Sequence, residues 1–341
     1  MADNVLYFPY IRVPESSWFT RVLLYWDHVG SIVPSEFLEN PDRLGPYMVQ
    51  LVRVGLVQQV IPGMHICDIP DFSESFLDYV DAEAHDLRWL QRRKRTPVEK
   101  WEEIHAEKMD NIGDGLVERG LAKRKAKDSP WYFVEPEIAA AFMAYLAAVL
   151  GQRPQSNFVP ITDRESALKP FLTKRPRIFA PIRNSAVLEE LRAVILSGVL
   201  PAPAETPPPQ ELMDFKLRYQ KELVGFRLDI ELRVNKLALI SDVKEREHNA
   251  GIELNTLKLP VEEIANRMKL KWSKIILGSF CAIPPAVLAA IPTGLHPAGP
   301  AIVGAVGLTA AVYNAAEPFI QRNEASKKSL AYAALAHEEF H

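Results

Sequence analysis

Two carboxylates stand where a chain of this kind would place catalysis. Asp27 closes an amphipathic run from Trp18 to Trp26, and Asp163 follows the apolar segment 157–161. Open α/β sheets gather their ligands at the carboxyl ends of strands. Two carboxylates within about 10 Å of each other can divide acid and base roles. Each residue also has a plainer reading. A carboxylate at the end of a helix opposes the macrodipole, so Asp27 needs a partner, with Arg21 and His28 nearest in sequence. Asp163 would serve equally as the cap of a helix over Arg164–Leu172. A structural role is the simpler account of both.

The remaining reactive residues make no recognisable set. His65 and Cys67 lie two apart near Asp68 and Asp71, but no HExxH or CxxC accompanies them, so no metal is expected. Gly113-Asp114-Gly115 is too short to cradle a phosphate. GxxxxGK[ST], GxGxxG and GxSxG are all absent, so no cofactor is expected and no pattern identifies a reaction. Arg92-Arg93-Lys94-Arg95 with Arg88, and Lys123-Arg124-Lys125-Lys127, lie near Trp89 and Trp131, as a nucleic-acid surface would require. Asp86, Glu99, Glu102 and Glu103 interleave with them, which describes a solvated face. A net charge of −3 over 341 residues makes no polycation, and nucleic acid is not an expected partner.

The elements that must position these residues change character along the chain. Leu6–Ile11 reads as a strand, Ser16 and Ser17 as caps of the Trp18–Trp26 helix, and Ser31–Pro34 as a second strand. A helix over about 46–59 leads to Val60-Ile61-Pro62. Strand, helix, strand, helix, strand predicts a βαβ beginning and a partly parallel sheet. Residues 71–122 read as mainly helical, with a restart at Thr96-Pro97-Val98-Glu99. Trp131–Val134 predicts a strand and Glu137–Leu150 a helix. Segments 157–161 and 177–182 are expected to return to the sheet.

Leu200–Pro209 holds five prolines and predicts a semi-rigid linker over 201–210. Beyond it, Leu212, Phe215, Tyr219, Leu223, Phe226, Ile230, Val234, Leu237 and Ile240 recur every three or four residues. That stripe predicts one helix of about 45 Å, able to pack helices or assemble copies of the chain. A further helix is expected from Pro260. From Ile275 to Ala316 there is no Lys, Arg, Asp or Glu, and the stretch turns at Thr293–Gly299. Lysines precede it and Arg322, Lys327 and Lys328 follow, so it reads as an apolar hairpin for a membrane or for partner helices. Five prolines and a short second limb weigh against spontaneous insertion.

Leu6-Tyr7-Phe8-Pro9-Tyr10, Val22–Asp27 and Ser31-Ile32-Val33-Pro34 resemble the opening of a family of uncharacterised bacterial proteins. Trp131–Pro136, Phe142–Ala147 and Ile161-Thr162-Asp163 are similar to later parts of that family. The resemblance covers about the first 200 residues; it implies a bacterial origin and brings no activity.

The expected architecture is a mixed, helix-rich α/β domain over 1–200, followed by an all-α domain over 211–341 that contains the hairpin 275–316. The expected function is a non-enzymatic sensor–effector, in the manner of stress or phage-defence proteins, with a membrane or protein partner at 275–316. Alternatives are an enzyme using Asp27 and Asp163, or a soluble oligomeric scaffold built through Leu212–Ile240. Two distant cysteines and the lack of a secretory leader predict a cytoplasmic protein, peripheral or integral at the inner membrane.

Overall fold

A computed structural model describes residues 4–84, 97–151, 158–164, 180–267 and 329–340. The expected hairpin at 275–316, the basic cluster Arg88 with Arg92–Arg95, and the segment 165–172 after Asp163 lie outside the described residues. The chain forms two compact units. The first comprises Met1–Val13 and Trp26–Arg183, and the second Pro14–Tyr25 and Asn184–His341. The protein is mixed α/β, with a parallel sheet and a second, smaller sheet.

Four short strands make the parallel sheet of the first unit: β1 (Asn4–Tyr7), β2 (His28–Ile32), β3 (Val57–Val60) and β7 (Phe158–Ile161). Their order is β3-β2-β1-β7, with Asn4 aligned to both His28 and Phe158, and Val29 to Val57. Central strands buried on both faces need continuous apolar runs, and Val5-Leu6-Tyr7 and Val29–Ile32 are all buried. Pro160 cannot donate to a ladder, and it falls on the edge strand β7. The smaller sheet, order β4-β6-β5, is antiparallel: β4 (Glu102–His105), β5 (Ala122–Arg124) and β6 (Trp131–Val134).

Helices in the first unit stop by a shared device. After α2 (Pro46–Arg53), Gly55 adopts φ 82; its N–H donates to Val52 O, and the Leu56 N–H donates back to Leu51 O. Further along, past α3 (Phe72–Ala84), the helix α4 (Ile112–Glu118) ends the same way: Gly120 repeats the turn at φ 64, with Leu121 N–H bonded to Leu116 O. Both are Schellman caps, which need a left-handed residue and bury the apolar one that follows. The expected helix over 46–59 therefore ends early and delivers β3. The apolar α5 (Pro136–Gly151) lies across the core, its first turn capped by Glu135 Oε2, which accepts from the N–H groups of Glu137 and Ile138 at 2.9 and 3.0 Å.

The described elements of the second unit are helices. α1 (Ser17–Tyr25) sits between β1 and β2 in sequence but belongs here, capped by Ser16 Oγ as expected. It joins α6 (Ala180–Val199), α7 (Pro209–Arg218), α8 (Gln220–Ala238), α9 (Val243–Arg267) and α10 (Ala331–Glu339). The apolar stripe is two helices, because Tyr219 leaves helical geometry at φ −114, ψ 31. One non-helical residue leaves the three-to-four spacing intact. Leu212, Phe215, Leu223, Phe226, Ile230 and Leu237 are at most 2% exposed, while Tyr219 is half-buried against Phe215. Phe226 meets Tyr25 edge-on and stacks on Tyr332, so the stripe faces the unit's own core.

Other expectations change too. Residues 180–182 open α6 and do not form a strand, and Pro260 lies inside α9 between buried Leu257 and Val261. The proline-rich segment lies within the second unit, with Pro201, Pro207 and Pro209 buried.

One buried cluster of charge in this unit is closely paired. Arg192 makes a bidentate contact with Glu231, Nε to Oε1 at 2.5 Å and Nη2 to Oε2 at 2.7 Å. Tyr25 Oη donates to the same carboxylate at 2.6 Å, Arg227 donates to the Tyr25 carbonyl, and Glu189 takes a further Arg192 nitrogen. Removing one member of a buried pair leaves an uncompensated charge. Arg192→Met should therefore cost about 3–5 kcal/mol in chemical denaturation, and Arg192→Met with Glu231→Leu distinctly less.

Glu190 behaves differently: burial pushes its carboxyl up to about 7, against the pull of Arg246. A raised folded-state pKa favours the folded form below the ordinary range near 4.5 and loses that advantage as pH rises through 7. Glu190→Gln should flatten the fall in stability between pH 5 and 8, read as thermal midpoints across that range.

Candidate functional site

All four parallel strands run the same way, so their carboxyl ends meet along one edge. The chain steps from β1 to β2 to β3 on one side and places β7 on the other, which makes β1/β7 the topological switch point where such sheets bind ligands. Tyr7 ends β1 there, and its Oη donates to Asp163 Oδ1 at 3.0 Å. Burial, followed by the Asp163 charge, pushes the phenol well above its ordinary range, so it stays a donor. Arg164 lies over the Tyr10 ring at 5.4 Å and approaches Asp163 at 3.7 Å.

A second polar group lies beyond β2 and β3. Ser35 donates through both its N–H and its Oγ to Glu107 Oε2, at 2.7 and 2.8 Å. Glu107 also lies against Gly63, where an added Cβ would stand 3.0 Å from its carboxylate. His105 caps the short turn Ala106–Met109: its Nδ1 accepts from the Glu107 N–H at 3.2 Å, which leaves the proton on Nε2, facing Glu36 Oε1 at 4.0 Å. That Glu36 oxygen is buried without a hydrogen bond. Tyr10 (42% exposed), Leu38 (52%) and Met64 (70%) each follow a parallel strand and expose apolar surface at this edge. Polar groups flanked by exposed apolar side chains are what a recognition surface needs.

No family model, curated protein or solved structure matches this chain.

Of the two sequence-derived carboxylates, only Asp163 reaches the edge. Asp27 precedes His28 at the amino end of β2, so along the strands the two are about 20 Å apart at 3.3 Å per residue. They share no site, and the acid–base pair expected of them is not formed. Gly113 and Gly115 are packing residues: an added Cβ would meet Tyr132 Cζ or Leu77 Cδ1 at 2.7 Å. In the second basic cluster, Arg124 pairs with Asp114 at 2.6 Å and Lys125 with Glu103 at 2.8 Å. Among the described residues no group of three metal-ligating side chains occurs. Sequence reasoning missed Ser35, His105, Glu107 and Lys108, which share no local motif and meet only through the fold.

Burial is the main influence on His105 and lowers its pKa, opposed by Glu36. Its imidazole should titrate below 6.5 as the Nε2–H tautomer in heteronuclear NMR, and Glu36→Gln should lower the midpoint further.

Proposed function

We propose that the chain is a non-enzymatic bacterial sensor–effector. The first unit recognises a ligand or partner at the carboxyl edge of its parallel sheet. The second unit is the front of an all-α effector part whose apolar segment 275–316 engages a membrane or partner helices. A role in stress response or phage defence would suit this layout.

The observation that carries the reading is the uncharged stretch Ile275–Ala316 beside lysines at 269, 271 and 274. Two further facts favour it over its rivals. The stripe at Leu212–Leu237 is already buried in its own unit, which leaves it no face for assembling copies. Asp27 and Asp163 lie at opposite strand ends, which removes the acid–base pair an enzyme reading relied on. No helix among the described residues is long and apolar enough to cross a membrane.

Flotation with vesicles of phosphatidylethanolamine and phosphatidylglycerol tests the proposal. The full chain should rise with the vesicles, and a form lacking 275–316 should remain at the bottom. Partner helices in place of lipid would show as a full chain that stays down yet pulls on a specific protein lost with the deletion. A full chain that stays down, with the deletion harmless in cells, overturns the reading.

A further inference from the structure

Four residues at the β1/β7 switch point form one chain of contacts: Tyr7, Asp163, Arg164 and Tyr10. The hydroxyl of buried Tyr7 donates to Asp163 Oδ1 at 3.0 Å and fixes that carboxylate from beneath the surface. Asp163 Oδ2 has Arg164 Nε at 3.7 Å, an ion pair longer than a hydrogen bond. The Arg164 guanidinium lies 5.4 Å from the centroid of the Tyr10 ring, on a side chain that is 56% exposed. A fixed carboxylate beside an exposed aromatic face suits an organic cation on both counts, by charge and by the ring quadrupole. Arg164 already supplies such a cation, but an exposed pair of this kind is weak and exchanges readily.

We propose that Asp163 and Tyr10 bind the guanidinium group of an incoming ligand, and that Arg164 fills their site as a self-ligand until it is displaced. Each carboxylate oxygen can accept two hydrogen bonds, so Oδ1 keeps the Tyr7 hydroxyl and has room for one more. A guanidinium donating to Oδ1 and Oδ2 as a fork gains two charge-assisted hydrogen bonds where Arg164 makes one long contact. Its flat face then covers the Tyr10 ring, which an ammonium, lacking a plane, would do less well. An anion would meet only the loosely held Arg164 among these four residues, with the Asp163 charge beside it. The ligand class is therefore a guanidinium compound, either free or carried as an arginine on a partner protein.

The inference deepens the carboxyl-edge reading and rests on it for location alone; vesicle flotation reports on 275–316 and is independent of it. The test titrates the full chain with ethylguanidinium and follows binding by saturation-transfer NMR, with ethyl phosphate as the anionic counterpart. Ethylguanidinium should bind in the millimolar range and ethyl phosphate should not. Asp163→Asn keeps an oxygen for the Tyr7 hydroxyl but loses the charge, and should abolish binding. Tyr10→Leu should weaken it about threefold. Arg164→Ala removes the competitor and should tighten it about threefold, the reverse of what an anion site would show. Acetyl-Gly-Arg-Gly-amide separates the sources: affinity equal to ethylguanidinium assigns the site to free compounds, and tenfold tighter binding assigns it to a partner's arginine. The three altered side chains are all partly exposed, so the fold should survive each change. Ethylguanidinium binding that persists in Asp163→Asn, or that Arg164→Ala leaves unchanged or weaker, overturns the proposal, as does its absence from the natural chain.

Discussion

The second unit depends on one buried contact, the bidentate pairing of Arg192 with Glu231 sealed by the Tyr25 hydroxyl. It joins α6, α8 and α1, elements up to 206 residues apart in sequence. Neither charge could be buried alone. Burial by itself would raise the Glu231 pKa, but the Arg192 guanidinium overrides burial and holds the carboxyl below its ordinary range. Tyr332 adds a second lock by donating to the Leu24 carbonyl at 2.6 Å, close to where α1 ends and its carbonyls lack helical partners. α1 is therefore fixed by residues from the second half of the chain. Because it is also the sequence link between β1 and β2, the chain must leave the first unit and return before the parallel sheet is complete. Non-local closure of this kind slows folding without necessarily lowering stability.

What the sequence made legible is what local chemistry dictates. The Ser16 cap, the apolar central strands, the 136–151 helix and the β7 segment follow from capping, hydrophobic continuity and propensity, which act over a few residues. The failures have a common cause in distant partners. Glu102-Glu103-Ile104-His105 looks like part of a helical region, yet it becomes a strand because β6 offers it a ladder. Pro260 looks like a helix start, yet α9 runs through it with Leu257 and Val261 buried on either side, tertiary packing that offsets a local cost of about 3 kcal/mol. The stripe was visible, but its spacing could not say whether its cover would be a second copy or the chain's own Tyr25 and Tyr332.

The candidate site was legible only at Asp163, whose place after an apolar strand is a local signal. Ser35 and Glu107 are 72 positions apart and meet because β2 and the turn after β4 end beside each other. Lys108, in a polar run of Glu-Lys, carries every sequence mark of a solvated surface residue. Its burial comes from the packing of two short turns, Gly63–Ile66 and Ala106–Met109, neither of which has a strong signature.

Both units bury polar groups that lack a partner, and the second also pairs part of its buried charge. In the second, Arg246 keeps a buried Nε and Nη2 without a hydrogen-bond partner, whereas Arg192 meets Glu231 and Glu189, and Arg233 meets Asp229 and Glu253, in direct contact. Such pairs roughly offset their own desolvation and fix geometry, which is a structural use of charge. In the first unit, Glu36 keeps a buried oxygen without a hydrogen-bond donor. A buried polar group left unpaired lowers stability in either unit. Glu36 faces His105 just beyond β2, on the side of the sheet where open α/β proteins take ligands. Pairing at Arg192 and Arg233 therefore fixes geometry in the second unit, while the Glu36 oxygen is a polar group that the first unit leaves without a hydrogen bond beside its sheet.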